Sequence, residues 1–329
     1  MIESMTGIIN IYKEKGYTSH DVVAIVRKLL SNYKKDIEES QEKDNTDKKG
    51  KKRKIKTGHT GTLDPQAEGV LPICVGRATK LADYLTVGIG HSTSDKSYRA
   101  ELILGMTTDT DDHTGKILTT GSTDGIKISA IEEVITSFIG GYMQTPPMYS
   151  AIKIEGKKLY DLARAGKTVE RKSRHVDIPR IAITDINLEN NRLWIEVDCS
   201  KGTYIRSLCA DIGQKLGCGG CMGDLIRTKS GTFHLKDSIY LSELKPAIEE
   251  NRRDFLMPVD KALPVPKGII TNFIKQAING LPVPYEQVSL SEPLSEGQLC
   301  WLYGKEDLIG LYTLKKGMFK PEVMMYDNH

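Results

Sequence analysis

The chain has 329 residues, 39% hydrophobic and 27% charged, with a formal net charge of +3; this suits about two globular domains and excludes a disordered, collagen-like or disulfide-scaffold chain. No apolar run approaches the ~20 residues of a membrane span, and the start Met1-Ile2-Glu3-Ser4-Met5 lacks a signal-peptide pattern, so a cytoplasmic protein without membrane contact is expected. Six scattered cysteines suit reduced thiols, and Cys218-Gly-Gly-Cys221, with Cys199 and Cys209 upstream, gives one close pair where a four-thiolate zinc site needs two, so no metal is expected.

Gly7 to Ile11 alternates into a first strand, and Ser19 is placed to cap a helix carrying Val22, Ile25, Val26 and Leu29 on one face. Residues 34–56 then hold ten Lys or Arg against six Asp or Glu, so the positive excess of the whole chain sits here. The acids, Asp36 to Asp47, come first; Lys48, Lys49, Lys51, Lys52, Arg53, Lys54 and Lys56 follow, with Ile37 and Ile55 the only aliphatics. Such a segment cannot build a core and reads as a solvated, flexible insertion spanning residues 31–56. A mobile basic arm beside a nucleic-acid site would add salt-sensitive affinity.

Gly58-His59-Thr60-Gly61-Thr62-Leu63-Asp64-Pro65 is a polar loop running into the apolar Val70 to Val75, and a helix is expected to start near Ala78. Tyr98, Ala100, Leu102 and Leu104 share one face of a strand that stops at Gly105. Ser129 and Glu132 have the spacing of a capping box for a helix with Ile131, Val134, Ile135 and Phe138, halted by Gly140-Gly141. Leu193, Ile195, Val197 and Cys199 alternate in a further strand. Gly202-Thr203 turns it into a helix striped by Ile205, Leu208, Cys209, Ile212 and Leu216 and closed by Gly217. Arg206 falls in the first turn, at a strand-to-helix junction. Beyond about Asp260, Leu263-Pro264-Val265-Pro266 reads as a linker into a small domain of short strands such as Gln298 to Tyr303 and Leu308 to Thr313.

Asp64 precedes a proline, which presents its carboxylate from extended backbone, and Gly58 and Gly61 let a ligand approach closely. Taken singly, the glycine-rich string is a plain turn, Tyr98 a packing aromatic and Arg206 a surface cation. Taken together they carry a chemistry. A carboxylate acting on a polynucleotide needs a cation to keep it ionised, an aromatic to stack on a base, and basic groups for phosphate; Arg206, Tyr98 and the lysines supply each type.

The loop string, continuing through Ala67, Gly69-Val70-Leu71-Pro72 and Gly76-Arg77-Ala78-Thr79-Lys80, resembles the catalytic motif of the bacterial TruB-type tRNA pseudouridine synthases. Four further strings agree in order: Lys96-Ser97-Tyr98 leading to Leu104-Gly105; Pro146-Pro147-Met148-Tyr149-Ser150-Ala151-Ile152-Lys153 with Gly156 and Tyr160; Gly202 to Leu208; and Leu225-Ile226-Arg227-Thr228 with Gly231. The resemblance implies an α+β catalytic domain over residues 1–261, built on a mixed, mainly antiparallel sheet flanked by helices, and a small β-rich PUA-type RNA-binding domain over 262–329. It implies a monomer that isomerises uridine 55 in the TΨC loop of tRNA, on the T-arm, without cofactor or metal. Asp64 would be the essential carboxylate, as nucleophile or as base; Arg206 would pair with it; Tyr98 would stack under the flipped base. His59 would support the opened loop, Leu225 would form an apolar wall, and Lys80 and Lys153 would touch phosphate.

Departures from the family pattern are visible too. Glu14 stands in Lys13-Glu14-Lys15-Gly16 where the family has proline, which weakens any carry-over for Lys13. Residues 262–329 hold six Lys, no Arg and seven Asp or Glu, a poor electrostatic footprint for RNA. Asp109-Thr110-Asp111-Asp112 resembles an aspartyl-phosphate phosphotransferase motif but continues with His113 where that motif wants Thr or Val. An RNA-binding or tRNA-folding protein without required catalysis would tolerate loss of Asp64, and the presence of both Asp64 and Arg206 argues against it.

Overall fold

The computed structural model describes residues 5–41, 55–87, 95–150, 153–154, 156–164, 166 and 169–326. The first unit opens with β1 (Gly7–Lys13), α1 (Ser19–Gln41), β2 (Thr57–His59), β3 (Glu68–Val75), the 3-10 turns Gly76–Leu81, α2 (Ala82–Val87) and β4 (Lys96–Leu104). There follow β5 (Met106–Thr108), β6 (Ile117–Thr120), α3 (Ile128–Thr136), β7 (Tyr142–Gln144), β8 (Lys153–Ile154), β9 (Lys157–Lys158), α4 (Leu159–Arg164), β10 (Arg174–Val176), β11 (Arg180–Asn187) and β12 (Arg192–Cys199). It closes with α5 (Ile205–Lys215), β13 (Gly220–Ser230), β14 (Phe233–His234), β15 (Ile239–Tyr240), α6 (Leu241–Glu249), β16 (Leu256–Met257) and α7 (Val259–Ala262).

The main sheet runs β11-β12-β4-β13-β3-β1-β15, with β14 on β13, β16 on β1 and β2 on β3. Only the β13/β3 and β1/β15 pairs are parallel, so the mixed, mainly antiparallel sheet expected from the sequence is present. β3 shows why its sequence is almost wholly apolar. Leu71, Ile73 and Val75 face a core shared with α1, α3, α5 and α6, whereas Val70 and Cys74 face a second core shared with the C-terminal unit, so both faces are covered.

The C-terminal unit comprises β17 (Lys267–Ile270), α8 (Ile274–Ile278), β18 (Val283–Pro284), β19 (Val288–Leu290), β20 (Leu299–Gly304), β21 (Asp307–Lys315) and β22 (Met318–Met324), ordered β18-β22-β21-β20-β17-β19. This is the small β-rich unit of PUA type. The segment read as a linker is not solvated: Leu263 and Val265 are buried in the second core with fully buried Trp301, whose Nε1 donates to Leu263 O at 2.8 Å. Apolar residues alternating with prolines can line an interface as readily as they can span a gap, and burying an indole there contributes roughly 2–3 kcal/mol.

Three local expectations need correction. Thr18 and Asp21, not Ser19, close the N-terminus of α1: Asp21 N donates to Thr18 Oγ1 at 3.1 Å and Thr18 N to Asp21 Oδ2 at 2.8 Å. α3 starts from Lys127 with no side-chain cap, so Ser129 and Glu132 form no capping box. Residues 31–41 are not loop but the last turns of α1, as the helix propensity of Lys and Glu permits. Residues 42–54 lie outside the described residues, and with them most of the basic run.

Among the described residues, no helix is long and apolar enough to cross a membrane. All six cysteines are free and buried.

Candidate active site

The sheet opens between β3 and β13. Their parallel pairing covers only Glu68 and Gly69 of β3, and β2 takes over at Ile73–Val75. In the gap between, Val70 O accepts from Arg227 Nε at 2.7 Å and Pro72 O accepts from Thr60 N at 3.2 Å. A strand residue's N–H and C=O point to the same side, so the N–H that Pro72 lacks would face this gap. Proline is therefore tolerated inside a central strand. At Gly69 (φ +101) a Cβ would sit 2.3 Å from Arg227 O, so only glycine allows β13 this close.

The loop over residues 60–67 fills the gap, and its backbone is held at almost every residue. Thr60 O accepts from Thr86 Oγ1 at 2.8 Å, Gly61 O from Arg227 Nη2 at 3.1 Å, and Pro65 O from Lys13 Nζ at 3.1 Å. Ser19 Oγ both accepts from Leu63 N (2.8 Å) and donates to Leu63 O (3.0 Å), which is why it does not cap its own helix. Ala67 N donates to Asp64 O at 3.0 Å, closing a turn with Pro65 inside it.

That fixed loop presents the Asp64 carboxylate to Arg206. Arg206 Nε lies 3.0 Å from Asp64 Oδ2, and the two side chains differ in exposure, 7% for the arginine against 45% for the aspartate. Both Nη nitrogens are anchored as well: Nη1 donates to Thr110 O at 3.1 Å and lies 4.0 Å from Asp112 Oδ2, and Nη2 donates to Tyr149 O at 2.8 Å. The result is a rigid, buried cation under a carboxylate that solvent, or a ligand, can reach.

Tyr98 on β4 stands opposite Arg227 on β13 and Val197 on β12, and Ala100 stands opposite Leu225 and Ile195. Register partners share a face, so Tyr98, Leu225 and Arg227 line the same side of the sheet. Leu225 is buried. Burial pushes the Tyr98 phenol up, against the opposing pull of the neighbouring Arg227, and Asp64 is among the charges it feels. Arg227 is itself fully buried, which lowers its affinity for a proton, with the Tyr98 hydroxyl within hydrogen-bonding reach. His59 is half-buried at the loop entrance, with Nδ1 accepting from Gly61 N at 3.3 Å and its ring edge-on to His20 at 6.1 Å. Its pKa is lowered by burial first and by His20 and Arg227 next, which favours the neutral, stacking form.

Asp64, Arg206, Tyr98, Leu225 and His59 are thus gathered around one loop. Lys80 is not drawn into that cluster: it is exposed, and its Nζ donates to Met324 O at 3.2 Å, close to where Arg77 Nη1 donates to Met325 O at 2.8 Å. Both side chains latch the end of the C-terminal sheet. Lys153 lies on β8, and its side chain falls outside the described residues.

Sequence reasoning missed several members. Lys13 is fully buried with Nζ on Glu14 O, Tyr17 O and Pro65 O, and burial lowers its pKa to about 8. Lys96, buried with Nζ donating to Ser230 Oγ at 2.6 Å, is pushed down to about 7 by burial and then by Arg227. Asp112, weighed only as part of a phosphotransferase string, faces Arg206. Arg227 carried a readable signal: two residues from Leu225 on one strand, it had to point the same way.

Comparison with known proteins gives the family. Residues 48–205 match the model of the TruB family pseudouridylate synthase N-terminal domain, and residues 206–264 that of the tRNA pseudouridylate synthase B C-terminal domain. The chain is 45% identical over 314 residues to tRNA pseudouridine synthase B of Alkaliphilus oremlandii, covering 93% of this chain and 92% of that one. The chain belongs to the TruB family. The synthase of Clostridium tetani is 40% identical over 318 residues, covering 96% and 98%. Among solved structures, a chain in an H/ACA RNP bound to a substrate RNA containing 2'-deoxyuridine superposes with a TM-score of 0.67 at 23% identity, over 98% of this chain and 85% of that one; the likeness is one of fold. The six-stranded unit lies beyond the last residue matched by either family model.

Proposed function

We propose that this chain is a tRNA pseudouridine synthase that isomerises uridine 55 in the TΨC loop, with Asp64 as its essential carboxylate. One observation carries the reading: an accessible carboxylate 3.0 Å from a buried guanidinium whose two Nη nitrogens are each anchored to a backbone carbonyl. The isomerisation breaks a C–N glycosidic bond, turns the uracil in place and forms a C–C bond, so the base must leave its stack and water must be kept out. Arg206 favours the ionised form of Asp64 in either role, attacking the sugar or removing a proton from it.

Tyr98 offers a ring to a flipped base with its hydroxyl turned inward, and Leu225 supplies an apolar side wall. His59 at the loop entrance takes the space the base vacates. Residues 1–261 carry the chemistry, and 262–329 add RNA contact. Lys80 and Lys153 meet phosphate, and the protein acts as a cytoplasmic monomer on the T-arm.

The test is incubation of the protein with an unmodified tRNA transcript, with and without chelator, followed by mapping of pseudouridine. Conversion at position 55 in both conditions is the expected result. Conversion elsewhere would overturn the site assignment, and conversion lost in chelator would overturn the metal-free chemistry.

A further inference from the structure

Gln144, the last residue of β7, is fully buried, and every polar atom of its amide is used. Oε1 accepts from Tyr204 N at 2.8 Å, while Nε2 donates to Tyr204 O at 3.0 Å and to the Tyr142 hydroxyl at 2.8 Å. Tyr204 is the residue from which α5 starts, and no side chain of the helix's own flank caps it there. The cap comes instead from another strand. One hydrogen bond would let the helix start swivel; two, from a planar amide to the N–H and C=O of one residue, fix its direction as well as its place.

The same strand grips α5 again farther along, where the Tyr142 hydroxyl donates to Asp211 Oδ2 at 2.7 Å. Arg206 lies between the two grips. The chain leaving β7 supplies Tyr149 O to the guanidinium itself. From β10, Arg174 stands opposite Gln144, donates to Gly202 O and places its guanidinium 5.2 Å from the Tyr204 ring centroid. Gln144 of β7 and Arg174 of β10 thus meet at the turn that aims Arg206, and Tyr142 holds the same helix farther along. A tilt of about 10° at that turn would swing a side chain of arginine's length by about 1 Å, and a displacement of that size costs on the order of a hundredfold in rate.

We propose that Gln144 is a positioning residue for the reaction: it fixes the start of α5 so that the Arg206 guanidinium meets Asp64. The inference rests on the assignment of Asp64 and Arg206 made above. Its test uses the full chain with Gln144→Leu, which keeps bulk and removes all three hydrogen bonds. Single-turnover rate at saturating unmodified tRNA should fall at least tenfold, with the tRNA dissociation constant within about twofold of wild type.

An effect on folding alone would be additive with changes elsewhere, whereas an effect through Arg206 vanishes when the guanidinium is gone. In an Arg206→Lys background, Gln144→Leu should therefore cost less than about twofold. A wild-type rate in folded Gln144→Leu, or equal fold losses in the two backgrounds, overturns the proposal. If Gln144→Leu does not fold, Tyr142→Phe reads the second grip by the same cycle: a lower rate at unchanged affinity, non-additive with Arg206→Lys, supports it, and additivity overturns it. Asp64→Asn in the same assay separates the two readings. Turnover by Asp64→Asn would refute the site itself, whereas an inactive Asp64→Asn beside a fully active Gln144→Leu overturns the positioning role alone.

Discussion

The two sheets of this protein treat polar groups in opposite ways. In the six-stranded unit the interior is apolar, and Thr313 is the one buried polar residue there among the described residues, its hydroxyl donating to Glu322 Oε1 at 2.8 Å. Around the opening in the main sheet, by contrast, Lys13, Lys96, Arg206, Arg227, Ser19, Thr60 and Gln144 are all buried. Each costs desolvation that a leucine would not; Lys13, Lys96, Arg206, Arg227, Ser19 and Gln144 offset it by donating to acceptors, whereas the Thr60 hydroxyl is buried with no partner. The stable, apolar solution was open to this chain and is used in one region. Where it is not used, Lys13, Ser19 and Arg227 donate to carbonyls of one loop, and Arg206 pairs with the Asp64 that the loop carries.

The contrast can be broken first at Arg206. Arg206→Ala should lower single-turnover rate by about a hundredfold or more, with a smaller effect on stability: Thr110 O and Tyr149 O lose a donor, but the freed Asp64 carboxylate is already close to half-exposed and can take up water. Equal rates for variant and wild type would make the buried cation a structural ornament of α5.

Arg227 should invert that balance. Arg227→Met strands the carbonyls of Gly61, Thr62 and Val70 in the interior, so a stability loss of about 3 kcal/mol by urea unfolding is expected, with turnover lost as the loop loosens. Unchanged stability would mean that water replaces the guanidinium.

In the apolar unit, Leu302→Ala removes a fully buried side chain and should cost roughly 2–5 kcal/mol. The rate per folded molecule should stay at the wild-type value, since no polar group near the loop is disturbed. A drop in rate would show that the two units are coupled through the core around Trp301.

The smallest effect concerns proton linkage at Lys96. Its pKa is lowered from 10.5 to about 7, so between those values the unfolded chain holds a proton that the folded one has released, and stability rises with pH. Going from pH 7 to 8.5, wild type should therefore gain on the order of 1 kcal/mol relative to Lys96→Met in urea unfolding. Parallel stability curves would place the Lys96 ammonium in water.

Much of this was legible in the sequence because it rests on local rules. The alternation of Leu193, Ile195, Val197 and Cys199 gave a strand with one wholly buried face, and Gly202-Thr203 followed by Ile205, Leu208 and Ile212 gave α5 with Arg206 in its first turn. Asp64 and Arg206 could be paired from residue type and motif before any distance was known.

What stayed hidden depends on partners remote in the chain. Ser19 has the profile of a cap, and nothing local says that Leu63 will take its hydroxyl. Lys13 and Lys96 resemble any other lysine until the carbonyls and the serine that receive them are assembled around the opening. Gln144 is polar and sits beside a proline pair, a surface pattern, and only the arrival of Tyr204 from 60 residues away buries it.

The account turns on Asp64, and Asp64→Asn tests it most directly because it removes one charge and almost no volume. With unmodified tRNA in single turnover, the account predicts no detectable pseudouridine, together with tRNA affinity within about tenfold of wild type, since a neutralised carboxylate deletes the chemistry but no phosphate contact. Substantial pseudouridine formation by Asp64→Asn would contradict it.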